Sequence, residues 1–401
     1  MLANQKRKRV AIIGAGPGGL SAGLALHQAG FDVTIFERHP EIRPLGGAII
    51  MNAIGINILR SYGITIDDTF SGVNKVIFRS HKGKQRVFFR MEEQYLEQAH
   101  VNGWQSGMMR SELYEKMLAV IPEGMIVTAH KLLRYEETED KITAFFDNGK
   151  QYDFDLIIGA DGVNSNVRQQ LWDSSELKHL GIAVWLGWAE VGGIARDEIV
   201  LRHSELYQFG YAPLIYKGKE CFEWWFVEAC TEHQPEPPNP HVYLKEKLKD
   251  FEEPVQTILN ASEESHTFRW VIKYREPLEK WSKGRATLLG DAAHPTSPYA
   301  AYGAGMAIED GFFLGKYLKG KNLSDIGSIQ EGLNQYDKER VKYCNDTTSF
   351  ARKIGRVFHN APKPFRMIRD FALNNTKFME QQIAKSYLSE AQNLLQRIVQ
   401  E

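Results

Sequence analysis

The feature that most constrains this chain is a glycine-rich turn near its N-terminus. Gly14, Gly16 and Gly19 form the pattern Gly-x-Gly-x-x-Gly. The apolar run Arg9–Ile13 precedes them as a predicted strand, and Ser21–Gln28 follows as a predicted helix. In such a unit the first glycine permits the tight turn, the second lets a pyrophosphate approach the backbone, and the third allows close helix–strand packing. The pattern therefore predicts a βαβ unit with phosphate bound at the helix N-terminus.

A second strand and an acidic residue complete this unit. Asp32–Phe36 is the predicted strand, and Glu37 follows it, 23 residues after Gly14. A carboxylate at this place in the fingerprint bonds a ribose hydroxyl. Because its charge repels the 2′-phosphate of NADP, we expect the unit to hold FAD or NAD.

Two later stretches each place an aspartate beside a glycine at the end of an apolar run. Asp161 and Gly162 follow one such run, and Asp291 follows another. A carboxylate there can bond a ribitol hydroxyl or orient water onto a pyrophosphate. The helix predicted over Ala304–Leu318 would direct its N-terminal amides at the negative charge of a reduced flavin. Together with the first turn, these stretches predict one FAD held along the chain.

Composition favours a metabolic enzyme. The 401 residues include 49 Lys and Arg against 50 Asp and Glu, which gives no global attraction to nucleic acid. The three cysteines have no metal-binding spacing, so we expect no metal site and reduced thiols in a cytoplasm. The basic stretch Lys6–Arg9 before the uncharged run 10–26 is similar to a signal peptide, but the nucleotide turn explains that run. We expect no membrane span.

The pattern along the chain alternates between βα units and long strands rich in aromatic and β-branched residues, which predicts interleaved domains. The predicted FAD-binding domain is discontinuous and comprises residues 1–72, 106–178 and 281–324. A mostly antiparallel β-sheet domain for the substrate is predicted over 73–105 and 179–280. Residues 325–401 are predicted as C-terminal helices, whose periodicity leaves three roles open: closing a pocket, forming a dimer or capping the domain. The expected oligomeric state is a monomer or a homodimer.

With its three motifs in order, the chain resembles the single-component FAD-dependent aromatic hydroxylases, the group typified by 4-hydroxybenzoate and salicylate hydroxylases and the tetracycline-inactivating monooxygenases. The resemblance covers residues 8–320 and implies an α/β fold with a Rossmann-like FAD domain. It implies that Arg110 contacts the FAD phosphates and ribose, and that Arg43 lies near the flavin ring. It assigns these residues to FAD binding: Gly14, Gly16, Pro17, Gly18, Gly19, Glu37, Arg38, Arg43, Gly47, Ala48, Arg110, Asp161, Gly162, Asp291, Pro298, Gly303, Ala304 and Gly305.

The reaction that the resemblance implies uses NADH or NADPH as a transient donor and O2 as co-substrate. In this family a flavin C4a-hydroperoxide hydroxylates an aromatic or phenolic small molecule, and the cofactor carries the hard chemistry. The protein must exclude water and place the ring. The sequence does not choose between NADH and NADPH or identify the substrate.

One motif departs from the family pattern. After the Gly-Asp motif the family usually reads Pro-Pro-x-x-Gly-Gln-Gly-x-Asn, and here Pro298 and Gly303 match. Ala301, Tyr302 and Gly305 replace the family's Gly, Gln and Asn. We therefore expect altered contacts at the flavin edge, with backbone amides still able to serve.

Aromatic residues of the predicted second sheet are candidates to line a substrate pocket: Trp185, Tyr207, Phe209, Tyr211, Trp225 and Phe226. Such residues are also typical of a sheet core. Candidate bases for a phenol are Tyr211, His203 and Tyr299.

Two other functions stay open, an FAD oxidase or dehydrogenase without oxygen insertion and a non-catalytic flavin-binding protein. No second Gly-x-Gly-x-x-Gly or redox cysteine pair is present, which favours a donor that binds transiently.

Overall fold

The computed structural model of the chain describes residues 8–42, 47–172, 176–297, 299, 301–383 and 388–400. Its strands are, in chain order, β1 (Arg9–Ile13), β2 (Asp32–Phe36), β3 (Ala48–Asn52), β4 (Lys75–Ser80), β5 (Gln85–Arg90), β6 (Gln105–Met109), β7 (Ile126–Val127), β8 (Leu132–Glu137), β9 (Ile142–Phe146), β10 (Gln151–Phe154), β11 (Leu156–Gly159), β12 (Lys178–Glu190), β13 (Glu198–His203), β14 (Gln208–Tyr216), β15 (Lys219–Ala229), β16 (Phe268–Tyr274) and β17 (Ala286–Leu288).

The helices are, in chain order, α1 (Pro17–Gln28), α2 (Ala53–Ser61), α3 (Glu93–Gln98), α4 (Arg110–Val120), α5 (Asn166–Trp172), α6 (Pro240–Leu248), α7 (Val255–Ala261), α8 (Gly303–Leu318), α9 (Ile326–Gly355), α10 (Lys363–Asn375), α11 (Phe378–Gln382) and α12 (Ser389–Val399). Short 3₁₀ turns occur at Glu264–His266 and Gly290–Ala292, and a π-helical turn follows α9 at Arg356–Asn360. Within the described ranges, no helix combines the length and the apolar character needed to cross a membrane.

A parallel sheet in the order β17-β11-β1-β2-β7 forms the nucleotide-binding layer. Its central strands are buried by α1 and by a separate three-stranded sheet in the order β10-β9-β8, whose Phe146 and Phe154 pack on Phe36 of β2. Helices α1 and α8 pack closely against each other, since Gly311 and Gly315 of α8 lie directly on the backbone of Ala22 and Ala25. This packing brings the N-termini of both helices toward the carboxyl edge of the sheet.

A larger mixed sheet in the order β16-β12-β15-β14-β13-β4-β5 forms the second layer. Its strand pairs are antiparallel except for β4 and β13, which run parallel. Helices α6 and α7 cover one face with a buried aromatic core. The predicted α/β fold, with a parallel layer, a mostly antiparallel layer and C-terminal helices, is confirmed.

A buried ionic network ties α8 to α9. Asp310 accepts hydrogen bonds from Arg340 Nε at 2.8 Å, from His294 Nε2 at 2.5 Å and from the Gly290 amide at 2.9 Å. Arg340 also donates to Glu309 at 2.8 Å. Burial opposes ionisation of Asp310, but His294 and Arg340 outweigh it and lower the pKa of Asp310 to about 2. The network thereby fixes the turn at Gly290 relative to α8.

Candidate active site

The predicted motifs meet where β1, β11 and β17 end side by side. Two adjoining cavities, of 430 and 520 Å³, lie along this edge and share Gly16, Arg110, Ala160 and Gly162 as lining residues. We call the joined cavities the nucleotide cleft. Its elongated form fits a dinucleotide, because open α/β sheets bind ligands beyond the carboxyl ends of their strands.

The three glycines of the first turn differ in what a side chain at each position would contact. Gly14 has a φ of +111°, and a Cβ there would lie 2.3 Å from the Ala160 carbonyl oxygen. A Cβ at Gly19 would lie 2.0 Å from the Gly14 carbonyl oxygen. A Cβ at Gly16 would meet only the Tyr114 hydroxyl, 3.9 Å away, and would point into the cleft. The protein chain therefore requires glycine at Gly14 and Gly19, whereas at Gly16 only a ligand in the cleft would require it.

Glu37 and Arg38 line the 520 Å³ half of the cleft, as the fingerprint predicts. The Glu37 carboxylate accepts hydrogen bonds from the amides of Ala15 at 3.1 Å and His39 at 3.0 Å. These bonds hold the side chain at the end of β2 beside the glycine turn, where a ribose hydroxyl would lie if the pyrophosphate occupied the turn.

Asp161 caps a helix and also faces the cleft. Its Oδ2 accepts a hydrogen bond from the Asn166 amide at 2.7 Å at the start of α5. Its Oδ1 is buried, and among the described residues it has no hydrogen-bond partner. Burial raises the pKa of this carboxyl. An unpaired buried oxygen is costly, so this position suits a hydroxyl donor from a bound ligand.

Asp291 is exposed on the wall of the 430 Å³ half of the cleft. The turn that carries it is fixed by hydrogen bonds on two sides. On one side the Gly290 amide donates to Asp310. On the other, Arg168 Nη1 donates to the carbonyls of Ala292 at 3.1 Å and Ala293 at 2.7 Å. A carboxylate on such a fixed turn can accept hydrogen bonds from the hydroxyls of a ligand in the cleft.

The departure from the family motif has a structural counterpart at the start of α8. Ala301 has a φ of +47°, a left-handed conformation that glycine adopts without strain. The Tyr302 ring lies over Gly305, where a Cβ would be 2.7 Å from the ring. Gly305, where the family has Asn, therefore leaves room for the ring of Tyr302, where the family has Gln. Tyr302, Gly303 and Ala304 line the cleft, whereas Gly305, which was also predicted to bind FAD, is not one of its lining residues.

Other predicted FAD residues lie in the same place. Gly47 and Ala48 line the cleft, and the Gly47 carbonyl accepts the Arg110 amide at 3.2 Å, so β3 and the start of α4 meet there. Pro17, Gly18 and Gly19 line it from α1. Arg43 and Pro298 lie outside the described residues.

The predicted substrate-pocket residues do not lie together, and this expectation needs correction. Trp225 lines the cleft, with its indole packed flat over Gly210. The other candidates point to the opposite face of the sheet, into the core under α6 and α7: Trp185, Tyr207, Phe209, Tyr211 and Phe226. The reason is the pleat, because neighbouring residues of a strand alternate between faces. Tyr211 is therefore also misplaced as a base that contacts substrate.

A smaller cavity of 130 Å³, which we call the apolar pocket, adjoins the cleft and shares Trp225 and Ala301 with it. Its lining combines the large sheet with the C-terminal helices: Val76, Phe78, Phe89, Gln105, Leu201, His203, Gln208, Trp225, Val227, Tyr299, Ala301, Thr347, Phe350, Ile354, Phe358, Met379 and Ile383. The first of the open roles for the C-terminal region, closing a pocket, is the one that this lining favours.

Two of the predicted bases, His203 and Tyr299, do line the apolar pocket. His203 Nε2 lies 2.8 Å from the Gln208 side-chain nitrogen. The Tyr299 hydroxyl is hydrogen-bonded to His359 Nε2. His359 Nδ1 lies 3.0 Å from the Leu206 carbonyl, which can only accept, so His359 carries its proton on Nδ1 and Tyr299 is the donor to Nε2.

Burial lowers the pKa of His359 to about 4. Between pH 6.5 and 4 the unfolded chain would bind a proton at this residue, whereas the folded chain would not. The neutral His359 therefore contributes fully to the free energy of unfolding above about pH 6.5. This contribution, up to about 3 kcal/mol, is lost as the pH falls toward 4. We expect His359→Gln to flatten the fall in unfolding free energy over this range, as measured by urea unfolding at several pH values. An unchanged pH dependence would contradict this assignment.

Sequence reasoning missed Glu223, which lines the cleft from β15. The side chain is buried, its Oε1 has no partner among the described residues, and burial raises the pKa of Glu223 to about 8. A lone acid inside the aromatic run 221–227 was the available signal. Gln105 and Gln208 were missed as well, because their contribution depends on which sheet face meets the pocket.

Comparison with known proteins agrees with this geometry. The family model described as "FAD binding domain" matches residues 7–351. The chain is 28% identical to 6-hydroxynicotinate 3-monooxygenase of Bordetella bronchiseptica, over 89% of this chain and 92% of the relative. It is 26% identical to aurachin C monooxygenase/isomerase of Stigmatella aurantiaca, over 87% of this chain and 89% of the relative.

A solved structure with the same fold is that of Klebsiella pneumoniae HpxO complexed with FAD and uric acid. The TM-score is 0.84 at 24% identity, with 97% of this chain and 96% of that chain covered. The expected FAD cofactor and the enzyme class, an FAD-dependent monooxygenase of the aromatic hydroxylase type, are confirmed. The match over residues 7–351 and the geometry of the cleft lead to one conclusion: this chain belongs to the FAD binding domain family.

Proposed function

We propose that this monooxygenase hydroxylates a small aromatic or phenolic molecule held in the apolar pocket. The observation that carries the proposal is the position of this pocket, which adjoins the nucleotide cleft across Trp225 and Ala301. A ring in the pocket would lie next to the flavin end of the cleft. NADH or NADPH would act as the transient donor, and O2 as the co-substrate.

The residues of the cleft fit FAD. Gly16 leaves open space at the start of α1, Glu37 is held beside it, and Asp161 presents a buried oxygen that has no partner among the residues the structure describes. The helices α1 and α8 both begin at the cleft, so their free amides favour its phosphates and the negative charge of its reduced ring. Bound FAD would supply the redox chemistry that activates O2.

The protein's own contribution is to exclude water and to hold the substrate ring. The large sheet presents Leu186, Trp225, Trp270 and Ile272 to the cleft, which makes this wall apolar. Phe350, Phe358, Met379 and others close the pocket from the C-terminal helices. An apolar enclosure prevents side reactions with water and fixes the ring for oxygen insertion.

Tyr299 is proposed to orient a hydroxyl of the substrate. Burial raises the pKa of Tyr299 well above its usual value, so the phenol stays protonated and does not serve as a base at neutral pH. Its proton is donated to His359, which leaves the hydroxyl oxygen as an acceptor toward the pocket. A substrate hydroxyl that donates to this oxygen would be held in one orientation.

Tyr299→Phe is expected to lower kcat/KM for hydroxylation by roughly 10- to 100-fold, the range of one lost positioning hydrogen bond. The fraction of donor oxidised to hydrogen peroxide should rise, because a misplaced ring no longer captures the oxygen. Tyr95→Phe is the matched control, since Tyr95 lines neither the apolar pocket nor the cleft. Full coupling of donor oxidation to product in Tyr299→Phe would refute the assigned role.

Two other functions have distinct outcomes. An FAD oxidase or dehydrogenase would consume its substrate without inserting labelled oxygen, and a non-catalytic flavoprotein would oxidise no donor with any compound.

We also propose a cytoplasmic location, a monomer or homodimer, and the domain division predicted above. The location is supported by Cys221, Cys230 and Cys344, which are free thiols.

A further inference from the structure

We propose that the apolar pocket selects a neutral hydroxyarene and rejects aromatic molecules that carry a carboxylate. The inference rests on the proposed function, because it concerns the ring that would be hydroxylated. Three observations support it: the lining of the pocket, the His203–Gln208 pair within it, and the hydrogen bonds that engage the two arginines whose charges act on His203.

The lining supplies no counter-ion for an anion. Most of its side chains are aliphatic or aromatic, and among the lining residues that the structure describes none is lysine or arginine. Placing a carboxylate in an apolar site without a cationic partner is strongly unfavourable. A neutral ring of the same shape has no such penalty and gains from contact with the apolar walls.

The histidine of the pocket does not supply a charge either. His203 and Gln208 are 1% and 2% exposed, and the His203 ring packs on Phe358 with centroids 4.3 Å apart. Burial, reinforced by nearby positive groups, lowers the pKa of His203 well below its usual value. The imidazole is therefore neutral at neutral pH.

The two arginines whose charges act on His203, Arg86 and Arg369, are hydrogen-bonded elsewhere. Arg86 donates to the Asn374 side chain at 2.9 Å and to the His203 carbonyl at 3.4 Å. Arg369 donates to Asp370 at 2.8 Å and to the Phe358 carbonyl at 2.7 Å. Neither guanidinium lines the pocket. Their positive charges favour the neutral form of His203. Neither of them is placed to form an ion pair with a carboxylate in the pocket.

The His203–Gln208 pair suits a neutral hydroxyl. Because the Gln208 amide nitrogen can only donate, His203 accepts at Nε2 and carries its proton on Nδ1. Gln208 Oε1 is a carbonyl oxygen and can accept a hydrogen bond from a ligand in the pocket. A phenolic hydroxyl can donate to such an oxygen and also accept, whereas a carboxylate can only accept.

The test uses pairs of ligands with equal shape and different charge. Binding of 4-hydroxybenzamide and 4-hydroxybenzoate, and of the corresponding hydroxypyridine amide and acid, is measured on the oxidised holoenzyme from the change in flavin absorbance, without donor. We expect the neutral member of at least one pair to bind roughly 10-fold or more tightly than its acid. Equal or tighter binding of the acids overturns the proposal, and so does the failure of every neutral member to bind.

Two variants locate the effect. Gln208→Leu should weaken the neutral ligand by about 10-fold through loss of its hydrogen-bond acceptor. Leu201→Lys, which adds a cation to the lining, should narrow or reverse the preference, while Leu206→Lys, at an exposed position outside the pocket, should not. Unchanged preference in Leu201→Lys would overturn the charge argument. Binding needs no turnover, so a lack of hydroxylation would count against the proposed function without deciding this inference.

Discussion

Gly16→Ala is expected to abolish tight FAD binding while leaving the apoprotein as stable as the wild type. Gly16 has φ −71° and ψ 174°, which alanine adopts without strain, and its new Cβ would have 3.9 Å to the nearest protein atom. That Cβ would occupy the space through which a pyrophosphate reaches the amides of α1. We expect the affinity for FAD to fall by about 100-fold, equivalent to about 2.7 kcal/mol.

The measurement is a titration of apoprotein with FAD, followed by thermal unfolding of each apoprotein. Gly192→Ala is the matched control, because no atom lies within 4 Å of its new Cβ. Gly14→Ala should differ from Gly16→Ala by losing fold stability as well, since its Cβ would collide with the Ala160 carbonyl. Unchanged FAD affinity in Gly16→Ala would show that the pyrophosphate does not bind at this turn.

Gly305→Asn, which restores the family residue at one position, is expected to be harmful on its own. The new Cβ would lie 2.7 Å from the Tyr302 ring, which is 4% exposed and lines the cleft, so this ring would have to shift. Overpacking of this kind costs about 1–3 kcal/mol. Because α8 begins here, we also expect weaker FAD binding.

The double variant Tyr302→Gln/Gly305→Asn should recover most of this loss, since the smaller side chain frees the space that the asparagine needs. The double-mutant cycle is measured by chemical unfolding and by FAD titration, and we expect a coupling of about 1–2 kcal/mol. Additive effects of the two substitutions would mean that Tyr302 and Gly305 did not change together for steric reasons.

The nucleotide cleft was predictable because its geometry is encoded locally. A glycine turn between a strand and a helix fixes where a pyrophosphate lies, and Glu37 follows at a set distance along the chain. Asp161 and Asp291 end strands of the same parallel sheet, so their meeting at one edge follows from the topology. The sequence did not show that Asp161 also caps α5.

The substrate side was not predictable in the same way. Phe209 and Gln208 are neighbours in β14, yet Phe209 lies in the core and Gln208 lines the apolar pocket. Both faces of this sheet carry aromatic residues, so alternation alone does not show which face meets the flavin. Packing of α6 and α7 decides it, and that contact is formed between distant segments. Phe358 and Met379 complete the pocket from helices far along the chain.

The most direct test of the whole account is single-turnover hydroxylation in labelled O2. The purified holoenzyme is mixed with NADH or NADPH and with the neutral hydroxyarene that binds most tightly, and the product is analysed by mass spectrometry. We expect faster flavin reduction with the ligand bound and one labelled oxygen atom in the hydroxylated ring. Donor oxidation that yields only hydrogen peroxide or an unlabelled product, with every ligand that binds, would contradict it.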